Sequence, residues 1–285
     1  MPELIIHHRT QLAIDAILKK PPHAIVLVGP KGVGKETLAK KLAEQLLGVE
    51  SLESQPYVHF VGDEDGAITI DHVRDLQHFL SRKATSPNDI NRIAIVARGG
   101  RMTIEAQNAF LKSIEEPPKG TILLITATHS KELLPTVMSR VQVLQVHAPE
   151  AEALHAHFAF AGHAKPEIDR VMMISGGLPG LMTELLAGNT EHPIFKAAEI
   201  ARSILRLDTF GRLAVVDSLS KQRSVCLDVL FVLQQMATIS LRDASKSTNA
   251  QKQWLAVLTQ ANDAQEALQV NAQPKLVLTH LMLGI

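Results

Sequence analysis

The run Gly29-Pro-Lys-Gly-Val-Gly-Lys35-Glu36 puts three glycines and a lysine where a phosphate-binding loop needs them. In the pattern G-x-x-x-x-G-K-[ST], glycines let backbone N–H groups curl around phosphate oxygens. The lysine reaches the terminal phosphates, and the closing hydroxyl ligates Mg²⁺. Gly29, Pro30, Gly32, Val33, Gly34 and Lys35 are therefore the expected nucleotide-binding residues. The hydroxyl position holds Glu36, an anion where phosphate charge must be neutralised. Thr37 comes one residue late, and on a helix that turns it roughly 100° away. Lys35, Lys40 and Arg98 are the sequence's candidate partners for Glu36, with Arg98 also a candidate built-in cation in place of Mg²⁺.

Hydrolysis of ATP makes a second demand. An aspartate at the end of the third strand must hold the metal, and an adjacent acid must polarise the attacking water. That strand ends Val96-Ala-Arg-Gly-Gly100, with no carboxylate before Glu105. Two defects strike the same metal, so no resident metal ion and no hydrolysis at this site are expected.

These residues need a frame. Ala24-Ile-Val-Leu-Val28 is a short, wholly apolar run ending at the loop, as a buried parallel strand should be. Behind the loop, Leu38, Ala39, Leu42, Ala43, Leu46 and Leu47 recur at helical spacing, and Gly48 is a helix stop. Tyr57–Val61 alternates as a strand, and Asp71–Leu80 reads as a helix. Ile93–Val96, a helix from Thr103 to Glu116 stopped by Pro117-Pro118, a strand Thr121–Thr126 and a last strand Val141–Val146 follow. This alternation predicts an α/β parallel sheet covered on both faces. From about Glu150 strands vanish, and wide apolar helical faces such as Ser224–Leu241 predict a bundle. Gly188–Pro193 reads as a linker between two small helical units. The expected domains are a nucleotide-binding-like module at 1–148, a small helical lid at 149–190 and an all-α domain at 191–285.

Composition sets outer bounds. The 285 residues carry zero formal net charge, so there is no global electrostatic footprint for nucleic acid or anionic lipid. A single cysteine, Cys226, excludes an internal disulfide and a cysteine-based zinc module. The amino terminus lacks a signal-peptide pattern, and no apolar run approaches the ~18 residues of a membrane span, so a cytoplasmic location is expected. His155, His157 and His163 are spaced i, i+2 and more on a helix, unlike metal ligands at i, i+4, and read as ordinary histidines.

The run Met102-Thr-Ile-Glu-Ala-Gln-Asn-Ala-Phe-Leu-Lys-Ser-Ile-Glu-Glu-Pro-Pro118, then Leu133-Leu-Pro-Thr-Val-Met-Ser-Arg140, resembles the AAA+ core of bacterial clamp loaders. The similarity is greatest to delta-prime-type subunits of the DNA polymerase III clamp loader. It is strong over 20–145 and weaker over 170–186 and 268–283, where Val270–Leu278 is similar to the family's last collar helix. The resemblance implies that Ala97 falls on the Walker B aspartate and Gly100 on the following glutamate, so both acids are missing. It puts Thr126 at the sensor 1 position, and Leu181 where an ATPase subunit carries the sensor 2 arginine. The family's zinc module has no counterpart, since Glu50–Gln55 leads straight to Tyr57. Ser139-Arg140 matches the Ser-Arg-Cys motif, with Val141 replacing the cysteine. In the family this arginine is a finger that reaches ATP held by the adjacent subunit.

The resemblance thus implies a subunit that does not hydrolyse ATP itself but supplies Arg140 in trans. Implied partners are delta and gamma/tau subunits meeting through the 191–285 collar, the β sliding clamp, and primed DNA through sequence-blind phosphate contacts. No membrane partner and no zinc are implied, and the loop is left open to ATP, ADP or neither. Two other readings stand beside this one: an active gamma/tau-like ATPase, and a free-standing nucleotide-binding switch.

Overall fold

The computed structural model describes residues 4–52, 55–62, 66–82, 90–188, 192–242, 247–269 and 271–285. The expected linker at Gly188–Pro193, the Glu50–Gln55 stretch and the Val270–Leu278 match each fall partly outside these, at 189–191, 53–54 and 270. The chain forms two compact units, one running to Ala153 and taking in Leu178–Gly180, the other comprising Leu154–Gly177 and Leu181–Ile285.

The first unit opens with α1 (His8–Lys19), a helix not separated in the sequence from the stretch before the first strand. His7 caps it, its Nδ1 accepting the Arg9 N–H at 3.1 Å. Then come β1 (Ala24–Val28), α2 (Lys35–Leu47), β2 (Val58–Val61), α3 (Ile70–Ser81), β3 (Arg92–Val96), α4 (Ile104–Glu115), β4 (Thr121–Ala127), α5 (Pro135–Met138) and β5 (Gln142–Gln145). The five strands pair in the order β2-β3-β4-β1-β5, every ladder parallel. β1, β3 and β4 are buried along their whole length, which is why they read as unbroken apolar runs. β5 is an edge strand that buries only Leu144.

Local chemistry sets the helix ends. Gly48 ends α2 in the left-handed conformation, φ 67°. Thr103 caps α4 through Oγ1, which accepts the Ala106 N–H at 3.1 Å. Along α4, Ala106, Phe110 and Ile114 recur at helical spacing, are fully buried and pack into the sheet core. Gln107 lies on the same buried face. Its Nε2 donates to the Met102 and Glu132 carbonyls at 3.3 and 3.2 Å, and its Oε1 accepts the Leu134 N–H at 2.7 Å. One amide thereby fixes the loop between β4 and α5.

The second unit is helical: most of α6 (Ala151–Phe160), α7 (Lys165–Ser175), most of α8 (Pro179–Leu186), α9 (Pro193–Arg206), α10 (Thr209–Leu219), α11 (Arg223–Arg242), α12 (Thr248–Gln269) and α13 (Pro274–Gly284). α11 is its axis, packed against α7, α9 and α12. Cys226, Val229, Leu230, Val232, Leu233 and Ala237 of α11 are fully buried, and the Gln234 Nε2 donates to Gln265 Oε1 of α12 at 2.5 Å. One expectation needs correcting. Over Arg223–Leu241, α11 is long and apolar enough to cross a membrane by length and composition. Its polar residues are dispersed along the helix, so no unbroken apolar run announced it. The burial of that apolar face within the bundle is the packing of a core helix.

Candidate functional site

The phosphate loop hangs from the carboxyl ends of three adjacent strands. Gly29 N–H donates to the Ala127 carbonyl at 3.3 Å, and Val146 N–H donates to the Val28 carbonyl at 2.7 Å. A Cβ on Gly29 would collide with the Val146 carbonyl, so the first glycine is required by close backbone approach. Gly34 caps α2 with φ 91°, a conformation that a side chain would strain. Val33 is buried and Pro30 exposed. A glycine-rich turn with a helix N-terminus behind it is the arrangement a phosphate would need.

The side chains have turned inward. Lys35 Nζ donates to the Gly29 and Pro30 carbonyls at 2.7 and 2.8 Å, within its own loop. Burial lowers the pKa of its ammonium, against the opposing pull of Glu132 and Glu36. Of the three partners open to Glu36, Arg98 is the one that pairs, Nε to Oε1 at 3.1 Å. Lys40 instead lies over the Phe60 ring, 5.3 Å from its centroid.

Ala97 is buried at the end of β3 and offers no ligand atom. Arg98 follows in the left-handed region at φ 53°, unusual for a residue with a side chain. Its N–H donates to Thr126 Oγ1 at 2.8 Å. Thr126 is thus buried at the end of β4 with its hydroxyl holding the β3 turn.

Glu132 was not singled out in the sequence, because nothing in its spacing ties it to the loop. Its Oε2 accepts the Thr128 N–H at 2.8 Å, and a Cβ placed on Gly100 would come within 2.5 Å of that same oxygen. A carboxylate from another loop thus fills the space beside the position where the second catalytic acid would begin. A magnesium ion does not fit this donor set: Glu36 is engaged by Arg98, and Ala97 presents a methyl group. Glu36, Arg98, Glu132 and Lys35 are each paired with protein groups.

Arg140 stands apart from this pocket, in the turn after α5. Its Nε donates to Glu115 Oε1 at 2.6 Å, and Nη1 donates to the Thr136 carbonyl at 3.0 Å and to Ser139 Oγ at 3.1 Å. Ser139 Oγ in turn donates to the Thr136 carbonyl at 3.1 Å. None of these partners belongs to the phosphate loop. The guanidinium side chain remains 41% exposed while one edge of it is fixed. Glu115 is the first acid of the Glu-Glu-Pro-Pro run, so that segment does more here than end a helix. The three histidines make local contacts: His155 Nε2 lies 3.0 Å from Asp169, His163 pairs with Glu167 at 3.4 Å, and the His157 ring meets Phe158 edge-on.

A family model described as DNA polymerase III, delta subunit, matches residues 7–150, half of the chain. The delta-prime subunit of Pseudomonas aeruginosa DNA polymerase III is 31% identical over 177 residues, 55% of this chain and 53% of that protein. The Haemophilus influenzae delta-prime subunit is 30% identical over 163 residues, 52% of this chain and 49% of that one. The chain spans about half the length of the curated relatives it matches. Among solved structures, a DNA polymerase III gamma subunit-related protein from Thermotoga maritima superposes with a TM-score of 0.53 at 18% identity, covering 96% of this chain and 97% of that one. That likeness bears on the fold, which is the α/β AAA+ fold. The chain belongs to the DNA polymerase III delta-subunit family, and its sequence is similar to delta-prime subunits.

Proposed function

We propose that this chain is the non-hydrolysing member of its clamp loader and lends Arg140 to ATP bound by a neighbouring gamma/tau-type subunit. The observation that carries this reading is a contrast within one unit. The chain's own phosphate loop faces Glu36 and Glu132 with no metal-binding acid at Ala97, while Arg140 is tethered on one edge and exposed on the other. A fixed guanidinium near developing phosphoryl charge is worth roughly 10³–10⁵ in rate. Nothing of comparable worth is left in the chain's own pocket. Any ATP or ADP held by Gly29–Lys35 and Thr126 stays unhydrolysed, without magnesium chemistry.

In this reading the chain works in the cytoplasm with delta and gamma/tau subunits, joined through the helical region at 191–285, with 149–190 as its lid. The assembly opens the β sliding clamp and sets it on primed DNA. With zero net charge, this chain's share of DNA binding is local and directed at phosphates.

The test is clamp loading onto primed DNA by reconstituted delta and gamma/tau subunits, with and without this chain, beside ATP turnover by the chain alone. Loading that depends on the chain, together with no turnover by the chain alone, is expected. Turnover by the isolated chain would favour the gamma/tau-like ATPase. Loading indifferent to the chain would favour a free-standing switch.

A further inference from the structure

The amino-terminal His7-His8 pair, absent from any motif above, converges with residues more than a hundred positions away. His7 Nε2 and His8 Nδ1 each lie 3.9 Å from Glu150 Oε1. One donor atom from each of the three residues lies within 4.8 Å of the other two. His147 adds a third imidazole, its ring centroid 5.4 Å from that of His7, and the His7 and His8 rings are themselves 4.9 Å apart. Buried Thr10 braces the frame, its Oγ1 donating to the Gln145 carbonyl at 3.3 Å and accepting the His147 N–H at 3.1 Å. The start of α1 and the segment leaving β5 are thus fixed side by side.

We infer that His7, His8 and Glu150, with the His147 ring beside them, form a binding site for a divalent transition metal of the zinc class, joining the start and the end of the α/β unit. Two imidazoles and one carboxylate make a borderline nitrogen-oxygen donor set that leaves a fourth position to water, and it favours zinc over the hard cations magnesium and calcium. The geometry needs little change. A cation centred among three donors no more than 4.8 Å apart lies at most about 2.8 Å from each, so closing to zinc's ~2.0–2.1 Å takes a movement of roughly 0.7 Å per ligand. His8 and Glu150 can make it, with side chains 66% and 64% exposed.

Ligation through His7 Nε2 moves the ring proton to Nδ1 and gives up the bond from the Arg9 N–H. That amide sits at an exposed helix start, where water replaces the lost acceptor.

The experiment uses the full chain without an affinity tag. Zinc is titrated in competition with a chromophoric chelator, and cobalt(II) serves as an optical probe of coordination geometry. One equivalent of zinc, four-coordinate cobalt bands and a zinc-dependent rise in Tm are expected. His8→Ala and Glu150→Gln, both at exposed side chains, should each weaken zinc binding at least tenfold while the metal-free chain keeps the wild-type Tm. No saturable zinc binding by the wild type overturns the inference. So does zinc binding that both variants leave unchanged.

Discussion

Replacing Gln107 by leucine tests how the α4 motif controls the loop leading to Arg140. The side chain is 4% exposed and carries three hydrogen bonds to the segments on either side of it. Leucine keeps most of the volume and removes every bond. The Leu134 N–H then loses its acceptor, and the Met102 and Glu132 carbonyls lose a donor. An orphaned buried polar group costs about 1–3 kcal/mol. Leu134 is only partly buried and a carbonyl tolerates loss of one donor better than an amide tolerates loss of its acceptor, so about 2–3 kcal/mol is expected in total.

The loss should be local, because Gln107 braces one loop and not the sheet. Hydrogen exchange is therefore the right assay, and the Leu134 amide should exchange roughly 30- to 150-fold faster. Amides of β1 should be unaffected. Leu134 exchange within threefold of wild type would refute the idea that this one amide holds the loop. Arg140 lies only six residues farther along, so the same variant should also lower any turnover that Arg140 supports.

Gly29→Ala sets a methyl group against the Val146 carbonyl and should cost about 1–3 kcal/mol in the unfolding of the α/β unit; an unchanged urea midpoint contradicts the close approach. Glu36→Gln removes one anion from the phosphate loop, worth about 1 kcal/mol and so roughly fivefold tighter ADP binding by calorimetry; unchanged or weaker binding contradicts the self-paired pocket. His59, stacked on Phe79 at 5.0 Å, has its pKa lowered chiefly by burial. The unfolded chain therefore takes up the proton first as pH falls below 6.5, and stability is lost through the folded pKa. The urea midpoint should be lower at low pH than at neutral pH, with a smaller difference in His59→Phe, and an equal difference in the two proteins would exclude His59 as a cause.

Much of the α/β unit was legible because its signals are local. A fully buried strand such as β4 has no reason to alternate, and Gly34 and Gly48 mark backbone conformations that other residues resist. The pairing of Glu36 was only narrowed to three cations, because choosing among them depends on how β3 is set against α2. Glu132 left no trace in the sequence. Its carboxylate reaches the site from a loop bound to Thr128, and only Gly100 leaves room for it. Helix α1 went unread because its apolar residues sit among polar ones and its cap is a histidine rather than serine, threonine or aspartate. The membrane-span length and apolarity of α11 was missed for a related reason. Dispersed polar residues hide a high average, and only packing against α7, α9 and α12 shows where the apolar face goes.

The most direct measurement is ATP turnover by the reconstituted clamp loader on primed DNA and clamp, comparing wild type with Arg140→Ala. The Arg140–Glu115 pair has both side chains more than 40% exposed, so its loss should cost less than about 1 kcal/mol and leave the subunit folded and assembled. The account predicts that turnover at the one neighbouring site served by Arg140 falls by roughly 10³-fold or more, while the isolated chain shows none with either residue. An assembled Arg140→Ala complex that turns over ATP as fast as wild type would contradict it.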